Sequence, residues 1–339
     1  MRCHFVLVAL FTTILAHAYG QTRTFPFPAE RTLPEMTETT VVIRAMTDGA
    51  TVSTDLANRT LAVTGTPDQL AIGAWLFDAV EGSSSPAAGS TGDGSPIVKE
   101  YPLAGGETVH VDYLPGVLTM QDVQGIVTLA RSISNVRGIY VDTRARAAIM
   151  RGPQDQVELS DWLLSELGAA SRQEPAPTLA MHEYASPVSV DRTTALIGSV
   201  RVYWLAHIAE PRDFQEMVTA VRSLADIRQL YTYTQVRAVG ARGTKEQLGM
   251  VDWLFREFDR AAGQTTPDRD AHEYQLPDQA ETVRVFYLSG NQSPHEMFAR
   301  IRAVADIRRL YACTSLRAVA VRGTPEQIAL VERVITASK

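Results

Sequence analysis

The chain is poor in cysteine. It has two, Cys3 and Cys313. Cys3 lies ahead of an apolar run that reads as a cleaved export signal, which leaves Cys313 alone, and one thiol cannot form an internal disulfide. Its place in an alternating strand points to a buried, inert small residue. Long apolar runs are missing as well. Outside Phe5 to Ala16, nothing approaches the roughly 18 consecutive apolar residues of a membrane-spanning helix. There is no excess of basic charge: Lys and Arg number 32 against 38 Asp and Glu, a net charge of −6. Affinity for nucleic acid rests on phosphate neutralisation by Lys and Arg, so no nucleic-acid partner is expected. The chain also lacks HExxH, a nucleophile elbow, a phosphate loop and a Cys-His pair. His182-Glu183 and His272-Glu273 begin as the zinc motif does, but Ser186 and Leu276 stand where its second histidine would fall. A metal centre wants three or four convergent ligands. The reading is therefore no catalytic residue, no metal ligand and no cofactor.

What the chain does have is repetition. Gly65, Gly152, Gly243 and Gly323 each follow a β-branched or small-residue run and precede a helix signal, about 87, 91 and 80 residues apart by subtraction. Around the last of them, Thr282 to Leu288 alternates as a strand. Ser293, Pro294 and Glu296 form a capping-box signature, and Met297, Phe298, Ile301 and Val304 then recur at helical spacing. Leu310 to Thr314 and Leu316 to Val321 read as a tight hairpin; Thr324, Pro325 and Gln327 open a second helix.

The fold expected is α+β: four tandem β-α-β-β-α repeats, each a small three-stranded sheet with two helices packed on one face, joined by flexible linkers. Residues 1–20 read as a signal peptide, with Arg2, the apolar run and Ala16-His17-Ala18. The repeats span 24–81, 99–167, 182–259 and 272–337, with linkers at 82–98, 168–181 and 260–271. The first linker contains GSSSPAAGSTGDGSP, which can bury almost nothing. Repeat 1 is the divergent copy, because the β-branched run Thr39-Thr40-Val41-Val42 sits where the others carry a clean apolar stripe and so encodes its first helix poorly. Glu-Tyr opens an extended segment in the other three, at Glu100-Tyr101, Glu183-Tyr184 and Glu273-Tyr274.

A strand, an amphipathic helix, a hairpin ending in Gly-Thr-Pro and a final helix resembles the N-terminal ring-building modules of secretins. The motif is fullest in Leu61-Ala62-Val63-Thr64-Gly65-Thr66-Pro67 and in Ala318-Val319-Ala320-Val321-Arg322-Gly323-Thr324-Pro325. Repeat 3 has Lys245 for the proline, and repeat 2 reads Arg151-Gly152-Pro153. The resemblance implies periplasmic protein-contact modules of a secretion or pilus system, with no catalytic residue to carry over. The sequence stops at Lys339, directly after the fourth repeat, so the secretin barrel is not expected.

Three residue sets recur in register. Arg44, Arg131, Arg222 and Arg302 lie on the first helix, and Arg59, Arg146, Arg237 and Arg317 near the hairpin turn. They read either as a repeated anion site or as stems covering apolar surface and pairing with acids such as Asp226 or Asp306. Trp75, Trp162 and Trp253 share one position on the second helix, where repeat 4 has Arg333; Tyr140, Tyr231 and Tyr311 share another, where repeat 1 has Ser53. The tryptophans either contact the next repeat, on one of the recurring tyrosines, or complete their own cores. The functional expectation is an exported, periplasmic, non-enzymatic scaffold acting on an envelope protein or by self-association. The alternative is a module binding an extended peptide or cell-wall ligand along a sheet edge.

Overall fold

The computed structural model describes residues 20–82, 97–114, 119–170, 178–184, 198–208, 210–260, 272–276, 280–289 and 292–338. The expected signal peptide and most of the expected linkers lie outside them. The chain divides into two compact units, Met1–Ser83 and Ser84–Lys339.

The first unit is repeat 1: β1 (Gln21–Pro26), α1 (Leu33–Met46), β2 (Thr51–Asp55), β3 (Thr60–Gly65) and α2 (Pro67–Glu81), with the antiparallel sheet ordered β1-β3-β2. Its first helix is well formed, against the expectation from the β-branched run. Thr32 and Glu35 make a complete capping box, and Pro34 lies in the first turn. The hydroxyls in the run are satisfied inside the unit: Thr40 donates to the Met36 carbonyl at 2.6 Å and Thr39 to Glu81 at 3.2 Å. Glu81 also closes a buried pair with Arg31. Phe77 stacks on Phe25 at 5.0 Å and tilts onto Phe27 at 5.5 Å.

The second unit contains the other three repeats. Repeat 2 runs β4 (Ile97–Pro102), β5 (Glu107–Tyr113), α3 (Met120–Ser134), β6 (Gly138–Asp142), β7 (Ala147–Pro153) and α4 (Gln154–Ala170). Repeat 3 has β8 (Ala180–Tyr184), β9 (Ser199–Trp204), α5 (Pro211–Leu224), β10 (Gln229–Tyr233), β11 (Ala238–Gly243) and α6 (Lys245–Phe258). Repeat 4 has β12 (Glu273–Gln275), β13 (Thr282–Tyr287), α7 (Pro294–Val304), β14 (Arg309–Cys313), β15 (Ala318–Gly323) and α8 (Pro325–Thr336). These sheets are four-stranded where three strands were expected, ordered β4-β5-β7-β6, β8-β9-β11-β10 and β12-β13-β15-β14. The extra strand is the Glu-Tyr segment, which adds antiparallel to the outer edge with Tyr101 opposite Val109, Tyr184 opposite Val200 and Tyr274 opposite Val283.

The aligned glycines have a steric cause. A Cβ on Gly65, Gly243 or Gly323 would come within 2.3, 2.9 and 2.8 Å of the glutamine four residues on. That glutamine closes the capping box of the second helix and donates from its amide to the carbonyl of Asp48, Asp226 or Asp306. Repeat 2 has Pro153 for the threonine cap, and there Gln156 stands 3.9 Å off. The box expected at Ser293 does not form. The boxed caps hold ψ near 160°, whereas Ser293 has ψ 129° and makes no side-chain cap hydrogen bond.

Candidate functional site

Each sheet of repeats 3 and 4 is covered twice, on one face by its own helices and on the other by the first helix of the preceding repeat. Helix α3 lies on β10 and β11, and α5 lies on β14 and β15. The two joints use the same positions. Arg242 and Arg322, each just before the aligned glycine, donate to the Ile133 and Leu224 carbonyls at 2.9 and 2.8 Å. Those carbonyls lie in the last turns of α3 and α5, where the negative end of the helix dipole favours a cation. The joints differ in how they fill space. Tyr233 packs over Gly125, whose Cβ would sit 2.8 Å from the ring, and donates to Asp122 at 2.6 Å. Burial raises the Tyr233 phenol, and the Asp122 charge raises it further. In the second joint the equivalent pair is Cys313 and Glu216, with Glu216 accepting from the Thr314 backbone and hydroxyl at 2.9 and 3.1 Å. Cys313 is buried, its thiol pushed up to about 12 by burial and by Glu216.

The second helices add a clasp. Trp162 lies 5.3 Å from Tyr184 and Trp253 lies 5.6 Å from Tyr274, in both cases a tyrosine on the next repeat's entry strand. His182 bonds Glu166 at 2.8 Å and His272 bonds Glu257 at 2.6 Å, pairing each histidine with the preceding repeat's second helix. This is what occupies the two His-Glu motifs. Of the other tyrosines, Tyr311 bonds Ser223 across the second joint, Tyr231 packs against the first, and Tyr140 is half-buried on β6. Trp75 is half-buried on α2.

The recurring arginines hold backbone. Arg44, Arg131 and Arg222 each donate to the strand carbonyl eight residues on, those of Val52, Ile139 and Leu230. Arg302 instead stacks over Phe298 at 5.7 Å and lines a cleft of about 460 Å³ with Arg212, His295 and Arg308. The hairpin arginines adopt left-handed backbone, with φ of 52° at Arg59, 49° at Arg146, 53° at Arg237 and 49° at Arg317. Arg59, Arg237 and Arg317 reach the chain entering the first helix, at the carbonyls of Pro28, Ala206 and Gln292. Asp226 pairs with Arg309, a member of neither set, at 2.9 Å.

One cluster has no counterpart in the sequence reading. His110 and Asp112 on β5 meet Asp161 on α4, with His110 Nδ1 at 2.8 Å from Asp161 and Nε2 at 3.7 Å from Glu100. Asp112 is wholly buried and neither of its oxygens has a hydrogen-bond partner. Burial drives its carboxyl well above the ordinary value, and the Asp161 charge adds to this. Burial works against protonation of His110, but Asp161 and Glu100 outweigh it and raise the imidazole. Among the described residues this is the one group able to converge three ligand atoms, all within 4.8 Å of one another.

No protein-family model matches the chain, and no curated protein matches it. Among solved structures it is similar to Aeromonas hydrophila ExeD at 13% identity and a TM-score of 0.16, covering 68% of this chain and 40% of that one. It is similar to the type II secretion system secretin GspD of E. coli K12 at 16% identity and a TM-score of 0.16, covering 71% and 39%. An aspartate kinase from Synechocystis scores 0.18 at 10% identity, covering 94% and 54%. The chain thus spans well under two thirds of the structures it matches.

Proposed function

We propose that the chain is an exported, non-enzymatic protein-contact scaffold of the bacterial envelope. The observation that supports this most is the joint made twice from equivalent positions, Arg242 on the end of α3 and Arg322 on the end of α5. A module that docks a helix of one copy onto the sheet of the next is already a protein-recognition device, and tandem repeats extend such a surface. Helix α7 carries the same outward positions, and its Glu296, Arg300, Ala303 and Val304 are exposed. The apolar run ahead of residue 20 supports export.

A second reading is favoured by the edge strands. Val98 on β4 and Met181 on β8 stand at equivalent positions and are 42% and 37% exposed. An extended peptide pairing there would bury them. A photo-crosslinking amino acid placed singly at Val304, Val98 and Met181 in producing cells tests both. Scaffolding predicts a discrete adduct with one envelope protein or with a second copy from Val304. Adducts from Val98 and Met181 alone favour the edge reading. No adduct anywhere, with a monomer in sedimentation up to several hundred micromolar, overturns both.

A further inference from the structure

At one place in every repeat the sheet meets the second helix, and the repeats fill it differently. Register defines the place. Arg23, His110, Arg201 and Arg284 each lie opposite the residue two before the aligned glycine. Two residues later come Phe25, Asp112, Tyr203 and Phe286, and nine residues after the glycine come Ala74, Asp161, Asp252 and Glu332. Repeats 1, 3 and 4 therefore put an arginine beside an aromatic ring. Arg23 lies over Phe25 at 5.2 Å and Arg284 over Phe286 at 4.9 Å. Arg201 bonds Asp252 at 2.7 Å, and Tyr203 donates to the same carboxylate at 2.6 Å. The edge strand supplies a second carboxylate, Glu183 to Arg201 at 2.8 Å and Glu273 to Arg284 at 3.8 Å.

Repeat 2 departs from this plan at two residues together. The arginine is His110, and the ring is Asp112. The sister sites of repeats 3 and 4 hold one guanidinium and two carboxylates, a net charge of −1. With a neutral imidazole, repeat 2 holds Glu100, Asp112 and Asp161, a net charge of −3. The deficit is two positive charges, inside a site where Asp112 has no donor on either oxygen. A buried carboxylate without a partner is strongly disfavoured, so the missing charge comes either from a bound cation or from protons on His110 and Asp112.

We propose that His110, Asp112 and Asp161, with Glu100 at the entrance, bind one divalent transition-metal ion. A divalent cation restores the charge of the sister sites. One imidazole nitrogen with carboxylate oxygens suits Zn²⁺, Mn²⁺ or Co²⁺, whereas Mg²⁺ and Ca²⁺ prefer oxygen alone. Ligands about 2.0–2.2 Å from a shared ion lie roughly 3–4 Å apart, and the ligand atoms here lie within 4.8 Å of one another. The Glu100 side chain is half exposed, so an ion has a way in. The ion would fasten α4 to β5 in the repeat whose second helix lacks a threonine cap.

The tag-free full chain, stripped with a chelator, is titrated calorimetrically with Zn²⁺ and Mg²⁺ and followed in visible absorption with Co²⁺. The expected result is one Zn²⁺ per chain, a Co²⁺ spectrum that Zn²⁺ abolishes, little response to Mg²⁺, and a Tm raised by Zn²⁺. Asp112→Phe and His110→Arg copy the sister repeats and so should fold, as their circular dichroism reports. Each should weaken Zn²⁺ more than about 100-fold, beyond the usual loss from an outer-shell change. Asp252→Asn in repeat 3 should leave uptake unchanged. Two protons, on His110 and Asp112, would balance the same charge. A wild-type chain that takes up no metal while Asp112→Phe raises its Tm establishes that protonated cluster and overturns the proposal. Uptake equal in wild type and both folded variants overturns it as well.

Discussion

At the scale of single residues, the joints are specified by pairs that only contact reveals. Gly125 carries no sequence signal, since a glycine inside a helix lowers helix propensity by about 1 kcal/mol relative to alanine. Its use is to admit Tyr233, which is buried and tied to Asp122 and so cannot yield cheaply. Gly125→Ala should therefore destabilise by about 1–3 kcal/mol through overpacking, more than the propensity gain returns. Tyr233→Cys, copying Cys313, should recover part of that loss in the double variant; urea midpoints measure the cycle. A stabilised Gly125→Ala would show that the ring moves aside. The His110 cluster was hidden for a different reason. Its members lie on β5 and α4, far apart in sequence, and the signal that could have found it is the aspartate standing where the aligned copies hold Tyr203 and Phe286.

At the scale of elements, most of the plan was legible. Apolar spacing and Thr-x-x-Gln boxes mark the helices because they are local chemistry, and the hairpins follow from chain too short to do anything else. The misreadings came from backbone detail and from edges. The run at Thr39 to Val42 looked hostile to a helix, yet the cap at Thr32 and internal hydroxyl bonds carry α1. Ser293 looked like a box and is not one. These two caps give a contrast: Thr32→Ala should cost about 0.5–2 kcal/mol, the usual worth of a bonded cap, while Ser293→Ala should change stability by only a few tenths. Thermal unfolding of each variant reads the difference, and equal losses would contradict it. The fourth strand was missed because a three- to six-residue edge carries too little alternation to be counted before its partner is known.

At the scale of the whole molecule, the division after Ser83 falls in the Gly-, Ser- and Pro-rich stretch that composition already marked. Limited proteolysis should cut between Gly82 and Pro96 first; a first cut inside repeat 3 would contradict that. Repeats 2 to 4 are the part of the chain where helix-on-sheet docking makes one repeat's stability depend on its neighbour's, as expected of stacked repeats. The outer face of the repeat 1 sheet is unlike theirs. Thr22, Thr24, Ser53 and Asp55 are exposed there, around the half-buried Ala62. The joint between repeats 3 and 4 is an energetic contact rather than a coincidence of packing only if both sides feel its loss. Hydrogen exchange on Arg322→Ala against wild type tests this most directly. The joint predicts that protection falls together in α5 and in β14–β15, on both sides of the lost bond to the Leu224 carbonyl. Loss confined to repeat 4, with α5 unchanged, would contradict it.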